Sequence, residues 1–311
     1  MEDTAQLRKR AESGDGAALV DLIQWLVTSP EADEREEGAQ LLLASCERDV
    51  PDALCLHAAL AARGVGREQN FEAALALLNR AAALNDDRAQ RQLQALGDGF
   101  DPAVWFAPMQ LVQHHPAPRI FTIENFIPRP VCEWFIDYAR RRLEPGKVRD
   151  GATGVDLVSP GRSATIAGST ALEPDLALQL TKLRIAQALD TDVAHQEPTT
   201  ILRYQPGQEY LAHYDLIRPD EEAAAAEELR IVGQRVATVL VYLNEGYDGG
   251  ETFFPHLDWG FKGKPGDALI FWNMSATGER ERLSLHAGLP VKSGEKWLLS
   301  QWVRAKPVPL I

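Results

Sequence analysis

Apolar residues recur three and four positions apart up to about Leu96, among Ala, Leu, Glu, Arg and Gln, with Gly and Pro confined to the gaps between apolar blocks. That period predicts an all-helical region over residues 1–97. The blocks also repeat. Ala17-Ala18-Leu19, Asp52-Ala53-Leu54 and Arg88-Ala89-Gln90 follow one another at 35 and 36 residues, and Glu37-Gly38-Ala39-Gln40-Leu41-Leu42 recurs 35 residues later as Glu72-Ala73-Ala74-Leu75-Ala76-Leu77. Small residues at these places let two antiparallel helices pack closely, so each unit is expected to be a helix pair. Over residues 98–117, Gly99, Pro102, Pro108 and Pro116 interrupt every period and predict an irregular linker. Beyond it, Ile120 to Glu124 reads as a strand, and Pro130 to Leu143 and Leu176 to Leu189 as amphipathic helices. From Thr199 the period shortens to two: Thr200 to Tyr204, Val236 to Leu243, Ala268 to Trp272 and Trp297 to Val303 alternate with Gly/Pro turns. The expected fold is therefore α+β and multidomain, with an α-helical repeat region at 1–97, a linker at 98–117, and a jelly roll with helices packed on one sheet at 118–311.

Composition narrows the function. The 311 residues are 45% hydrophobic and 25% charged, enough to bury a core in about two domains without relying on disulfides or metal. Basic and acidic residues number 32 and 45, a net charge of −13, and residues 1–100 hold 10 of the former against 18 of the latter. With no basic tract, nucleic acid and anionic membrane are not expected as partners. The odd count of three cysteines, Cys46, Cys55 and Cys132, lacks any Cys-x-x-Cys spacing, which argues against a disulfide framework or a cysteine-rich zinc site. The chain opens Met1-Glu2-Asp3-Thr4 without a signal-like apolar run, so a cytoplasmic setting is expected.

Of seven histidines, two begin a His-x-Asp triplet, His213-Tyr214-Asp215 and His256-Leu257-Asp258. On a strand, residues i and i+2 share a face, so either triplet could offer an imidazole and a carboxylate to one metal. His286, 71 positions after Asp215 and 28 after Asp258, supplies a second imidazole. Two His and one carboxylate leave the remaining coordination positions open, as non-haem Fe(II) and O₂ chemistry requires. The longer gap has room for the strands that cross a sandwich and return. Pro255, immediately before His256, disfavours a continuing central strand there.

The run Leu202-Arg203-Tyr204-Gln205-Pro206-Gly207-Gln208-Glu209-Tyr210-Leu211-Ala212-His213-Tyr214-Asp215 resembles the first metal-binding segment of the prolyl 4-hydroxylase family of Fe(II)/2-oxoglutarate dioxygenases. So do Ala237 to Asn244, Gly249 to Pro255, and the closing segment Ser284-Leu285-His286-Ala287-Gly288 through Gly294-Glu295-Lys296-Trp297 to Arg304. The resemblance spans about Pro118 to Pro307 and implies a double-stranded β-helix in which His213, Asp215 and His286 hold Fe(II). It implies that Lys296 pairs with the distal carboxylate of 2-oxoglutarate, that Tyr204 and Thr238 contact this cosubstrate, and that Arg162 and Trp302 lie on the substrate side. The implied reaction consumes O₂ and 2-oxoglutarate, releases succinate and CO₂, and hydroxylates an unactivated C–H, with ascorbate as reductant. C4 of a prolyl residue in a peptide or protein is the first substrate it suggests, a free cyclic amino acid or other small molecule the second.

Gly64-Val65-Gly66 followed by Asn70-Phe71-Glu72-Ala73-Ala74 resembles the inter-helix turn of Sel-one-like repeats, a subclass of tetratricopeptide-like solenoids. The helical region could present a substrate, buttress the catalytic domain or join two copies of the chain; a non-catalytic interaction protein is the distant alternative. The acidic, alanine-rich run at 218–234, directly after the metal-binding pair, is expected to be either a solvated helix or a mobile lid.

Overall fold

A computed structural model of the chain describes residues 4–149, 156–158, 161, 163–217 and 223–310. They form two compact units, one of Met1–Phe106 with Thr170–Arg184 and the last two residues, the other of Ala107–Ser169 with Ile185–Pro309.

The first unit is built from α1 (Thr4–Glu12), α2 (Gly16–Val27), α3 (Ala32–Glu47), α4 (Pro51–Arg63), α5 (Phe71–Ala83), α6 (Asp87–Leu96) and the short α7 (Pro102–Trp105). One device starts three of them: the side chains of Asp15, Asn70 and Asp86 accept from the backbone N–H three residues on, at Ala18, Ala73 and Ala89. Such caps satisfy donors that the first helical turn leaves open, each worth about 1 kcal/mol. Small residues allow the close packing anticipated above. A Cβ added at Gly38 of α3 would lie 2.7 Å from Leu26 Cβ and 2.9 Å from the Val27 nitrogen of α2.

A further helix, α9 (Leu176–Leu189), corrects the expected partition. Its residues Leu176 to Lys182 are all buried, and the segment through Arg184 belongs to the helical unit. There Gln92 Oε1 accepts from the Leu176 N–H at 2.6 Å, the Trp105 indole donates to Leu180 O at 3.2 Å, and Arg63 donates to Gln179 at 2.9 Å. A stretch buried on all sides has no solvent stripe, so this first half of the helix lacks the polar face that the amphipathic reading required. The 98–117 segment also departs from an irregular linker. It contains α7 and the whole of an edge strand, β1 (Val112–Pro116), where a proline removes no ladder hydrogen bond on the open side.

The second unit adds, in chain order, β2 (Arg119–Ile123), α8 (Arg129–Arg140), β3 (Glu144–Pro145), β4 (Lys147–Arg149), β5 (Asp156–Val158), β6 (Thr165–Gly168), β7 (Thr200–Tyr204), β8 (Tyr210–His213), α10 (Ala223–Val232), β9 (Arg235–Tyr242), β10 (Asp248–Gly249), β11 (Thr252–Phe254), β12 (Trp259–Phe261), β13 (Ala268–Trp272), β14 (His286–Gly288), β15 (Val291–Ser293) and β16 (Lys296–Arg304). An eight-stranded sheet runs β1-β2-β13-β9-β16-β7-β6-β3, and a four-stranded sheet runs β12-β11-β14-β8. Their pairings are antiparallel throughout. Leu202, Leu240, Leu269, Phe271 and Leu298 of the large sheet and Phe254 of the small one meet in a single apolar cluster. Each large side chain there contributes roughly 2–3 kcal/mol by leaving water. α8 packs on β6 and β7. Mixed α and β structure is thus what the chain adopts.

Of the 218–234 run, residues 218–222 lie outside those described, and the rest is α10 with its following turn. The C-terminal end of α10 is fastened: Arg304 donates to Gly233 O at 2.8 Å and pairs with Glu228, and Lys306 Nζ donates to Arg230 O at 2.9 Å.

Candidate active site

Strand alternation builds one wall of a cavity. On β16 the residues Lys296, Leu298, Ser300 and Trp302 share a face, and Leu202 and Tyr204 of β7 and Leu240 of β9 join them around a cavity of about 40 Å³. The small sheet supplies the opposite wall. β14 and β8 pair with His286 directly across from His213, which brings the two rings to a centroid separation of 4.4 Å. Asp215 follows β8 by two residues and is buried beside them.

One ligand atom from each of His213, Asp215 and His286 lies within 4.8 Å of the others. Both imidazoles are aimed by their own strands. His213 Nδ1 donates to Leu211 O at 2.8 Å, and His286 Nδ1 donates to Ser284 O at 3.0 Å. A proton on each Nδ1 leaves the Nε2 lone pairs free, and these face Asp215 at 3.4 and 3.6 Å. Two lone pairs turned on a buried carboxylate repel it unless a cation lies between them, so the donor set fits a divalent metal. Burial, then the neighbouring His213, pushes the His286 imidazole down to about 4, which keeps it neutral at pH 7. Burial works against the charge on Asp215, yet the carboxyl is held below its usual range, with a hydroxyl donor among the groups that favour the anion.

That hydroxyl is Thr238, whose Oγ1 donates to Asp215 Oδ2 at 2.7 Å and accepts from Asn273 Nδ2 at 3.0 Å, so it supports the carboxylate of the candidate metal site. Lys296 is buried in the same cavity, its ammonium donating to Gly250 O at 2.7 Å and standing 5.4 Å from the Tyr204 ring. Burial lowers it to about 7, with Glu251 opposing the shift and Lys262 adding to it. Such a group is suited to meet an anion: a dicarboxylate entering the cavity supplies the counter-charge that burial removes. Tyr204 lines the same cavity, its aromatic face toward Lys296.

Trp302 lies at the other end of β16, in the cavity wall, with Arg235 stacked 3.5 Å over its ring and Arg235 paired with Glu197 at 2.7 Å. Its indole N–H is buried with no hydrogen-bond partner among the described residues. Arg162 lies outside the described residues. His256 and Asp258 fall in the turn between β11 and β12, with His256 exposed and away from the cavity lining. Sequence reasoning missed Tyr210, whose ring stacks on His213 at 3.6 Å, and Asn273, which anchors Thr238. A bulge sets Leu211 and Ala212 of β8 against the single Ala287 of β14 and so turns Tyr210 to the same face as His213.

Residues 199–304 match the model of the 2OG-Fe(II) oxygenase superfamily. Prolyl 4-hydroxylase 1 of Arabidopsis thaliana is 34% identical over 204 residues, covering 61% of this chain and 70% of that one. The chain belongs to the prolyl 4-hydroxylase family. Prolyl 4-hydroxylase 13 of Arabidopsis thaliana is likewise 34% identical over 204 residues, covering 60% of this chain and 71% of its own. Among solved structures, the viral collagen prolyl hydroxylase of Paramecium Bursaria Chlorella virus-1, in its 2OG complex, is 30% identical over 60% of this chain and 96% of that one, with a TM-score of 0.46. As a member of this family the chain is an Fe(II)- and 2-oxoglutarate-dependent dioxygenase, with O₂ as its third reactant.

Proposed function

We propose that the protein hydroxylates prolyl residues at C4 in a peptide or protein, with Fe(II) held by His213 Nε2, the Asp215 carboxylate and His286 Nε2, and with the distal carboxylate of 2-oxoglutarate on Lys296. One observation carries this reading: both sets of groups line a single cavity, Lys296 at one end of the β16 face and Trp302 at the other, roughly 20 Å apart along an extended strand. When bound, Fe(II) with 2-oxoglutarate supplies oxidative decarboxylation to succinate and CO₂ coupled to C–H hydroxylation. The chain's own work is positioning. Lys296 fixes the cosubstrate, Leu202, Leu240 and Leu298 exclude water, and the aromatic faces of Tyr210 and Trp302 offer a flat apolar seat for a pyrrolidine ring. Ascorbate serves as reductant in this reading.

The facing sheets are read as a double-stranded β-helix core, and α2 to α5 as two Sel-one-like helix pairs. Three buried, unpaired thiols suit a reducing, cytoplasmic setting.

The test is mass spectrometry of proline-containing peptides and of free proline and pipecolate after aerobic incubation with Fe(II), 2-oxoglutarate and ascorbate, with succinate measured in parallel. A gain of one oxygen on a prolyl residue, retained by His256→Ala and lost in His213→Ala, is expected. Oxygen gained only by the free imino acids moves the substrate to the small-molecule class. Succinate release that no prolyl substrate increases overturns the prolyl assignment.

A further inference from the structure

The helical unit holds a groove of its own, independent of the dioxygenase cavity. It has a volume of about 480 Å³ between one face of α3 and the end of α4 with its following turn. On α3 the wall comprises Arg35, Ala39, Leu42 and Leu43, positions three and four apart on one helical face. Opposite stand His57, Leu60 and Arg67. The floor is apolar: Leu42 is 5% exposed and Leu60 4%, while Leu43 on the same wall is 52% exposed with nothing covering it. The wall runs from Ala32 to Leu43, about 16 Å of helix, and is open along its length.

Five other arginines of the unit pair with carboxylates, while Arg48, like Arg35 of the groove, donates to a carbonyl, that of Ala44, at 3.2 Å. Arg8 pairs with Glu37, Arg10 with Asp15, Arg80 with Asp49, Arg88 with Asp52 and Arg91 with Asp87. The two arginines of the groove pair with no carboxylate among the described residues. Arg35 Nη1 donates to the carbonyls of Ser29 and Pro30 at 2.8 and 2.6 Å, and Arg67 Nη1 donates to His57 Nε2 at 2.8 Å. Neutral acceptors hold both guanidinium groups in place and leave their charge uncompensated, in a region where acids outnumber bases 18 to 10. Glu36, the one acid of the lining, accepts from Gln40 at 2.8 Å.

We propose that this groove docks an apolar peptide segment that carries carboxylates, its apolar side chains on Leu42, Leu43 and Leu60 and its acids on Arg35 and Arg67. An open trough with two fixed forks suits an extended chain, which presents side chains and carboxylates at intervals, better than it suits a compact small molecule. Docking here does not depend on the reaction at the metal site.

Fluorescence anisotropy of the full chain with a fluorescein-labelled hexapeptide of alternating leucine and glutamate, and with its leucine–lysine counterpart, tests this. Saturable binding of the glutamate peptide is expected, at least tenfold tighter than that of the lysine peptide and weakened by added salt. Arg67→Glu and Arg35→Glu should each weaken it at least fivefold. Leu43→Glu, at an exposed position, should do the same with an unchanged melting temperature. Equal affinity for the two peptides, no binding of either, or wild-type affinity in all three variants overturns the proposal. So does sedimentation showing that the wild-type chain self-associates and Leu43→Glu abolishes it, since the groove is then filled by a second copy.

Discussion

Replacing Thr238 with valine keeps the shape of the side chain and removes the hydroxyl that joins Asn273 to Asp215. The carboxylate loses its neutral donor, and Asn273 Nδ2 loses its acceptor. Outer partners of this kind are worth about 10–100-fold in metal affinity. Thr238→Val is expected to weaken Fe(II) binding by that factor while the fold persists, read by anaerobic titration of the visible Fe(II)–2-oxoglutarate band; unchanged affinity would remove Thr238 from the metal's support. Lys296 gives a pH dependence. Its folded value of about 7 lies below the ordinary 10.5, so between these values the unfolded chain holds more protons and the stability of the cofactor-free protein rises with pH. Below 7 both states are protonated and that gain is absent. Pairing with a dicarboxylate requires the charged form, so 2-oxoglutarate affinity should fall up to about tenfold per pH unit above 7, with close to one proton taken up on binding at pH 8. Calorimetry in buffers of different ionisation enthalpy measures the uptake, and Lys296→Met should abolish it. At this scale the cluster of His213, Asp215 and His286 was legible from the i, i+2 triplet and a distant histidine. The duty of Thr238 was not, because which oxygen a hydroxyl meets depends on how deeply Asp215 is set between the sheets.

Turns fix where each strand begins, and Gly294 fixes β16. It has φ of +74°, and a Cβ there would lie 2.6 Å from Gly246 O and 2.9 Å from Tyr247 Cα. Gly294→Ala is expected to destabilise the protein by about 2 kcal/mol or more, seen as a lower urea midpoint, and to weaken 2-oxoglutarate binding because Lys296 opens the strand two residues later. A midpoint equal to wild type would mean the turn relaxes freely. The long apolar strands β7, β9, β13 and β16 were readable because β-branched and aromatic runs between Gly/Pro turns leave little alternative. β1 was not: Val112-Gln113-His114-His115-Pro116 carries no apolar alternation, and its strand character comes from pairing with β2. Tyr210 escaped for a similar reason. In a regular strand a residue three before His213 faces away, and only the bulge against β14 reverses it.

At the scale of the molecule, sequence order and packing order diverge at α9. The periodicity of Leu176 to Leu189 announces a helix, yet what covers Leu172, Leu176, Leu178 and Leu180 cannot be read from a local pattern, because the groups that bond this segment lie at Gln24, Arg63, Gln92 and Trp105. A fragment beginning at Ala107 therefore strips those four leucines, each 3% exposed or less, of their surroundings. It is expected to aggregate or lose helicity, and residues 1–106 supplied as a separate chain should restore a monodisperse species on gel filtration. A soluble fragment with full helical circular dichroism would show that 170–184 folds without them.

The two histidines of the proposed metal site each lean on a carbonyl only two residues back in the chain. The direction of both coordinating lone pairs is thus inherited from the backbone and exists before any ion arrives. Such a seat admits whatever divalent ion reaches it first, and nitrogen and oxygen donors hold cobalt, nickel, copper and zinc more tightly than iron. Those ions would occupy the seat without sustaining the oxidation. The activity of this protein in a cell then depends on which metals the cell leaves free, and an excess of zinc should silence it as completely as the loss of iron.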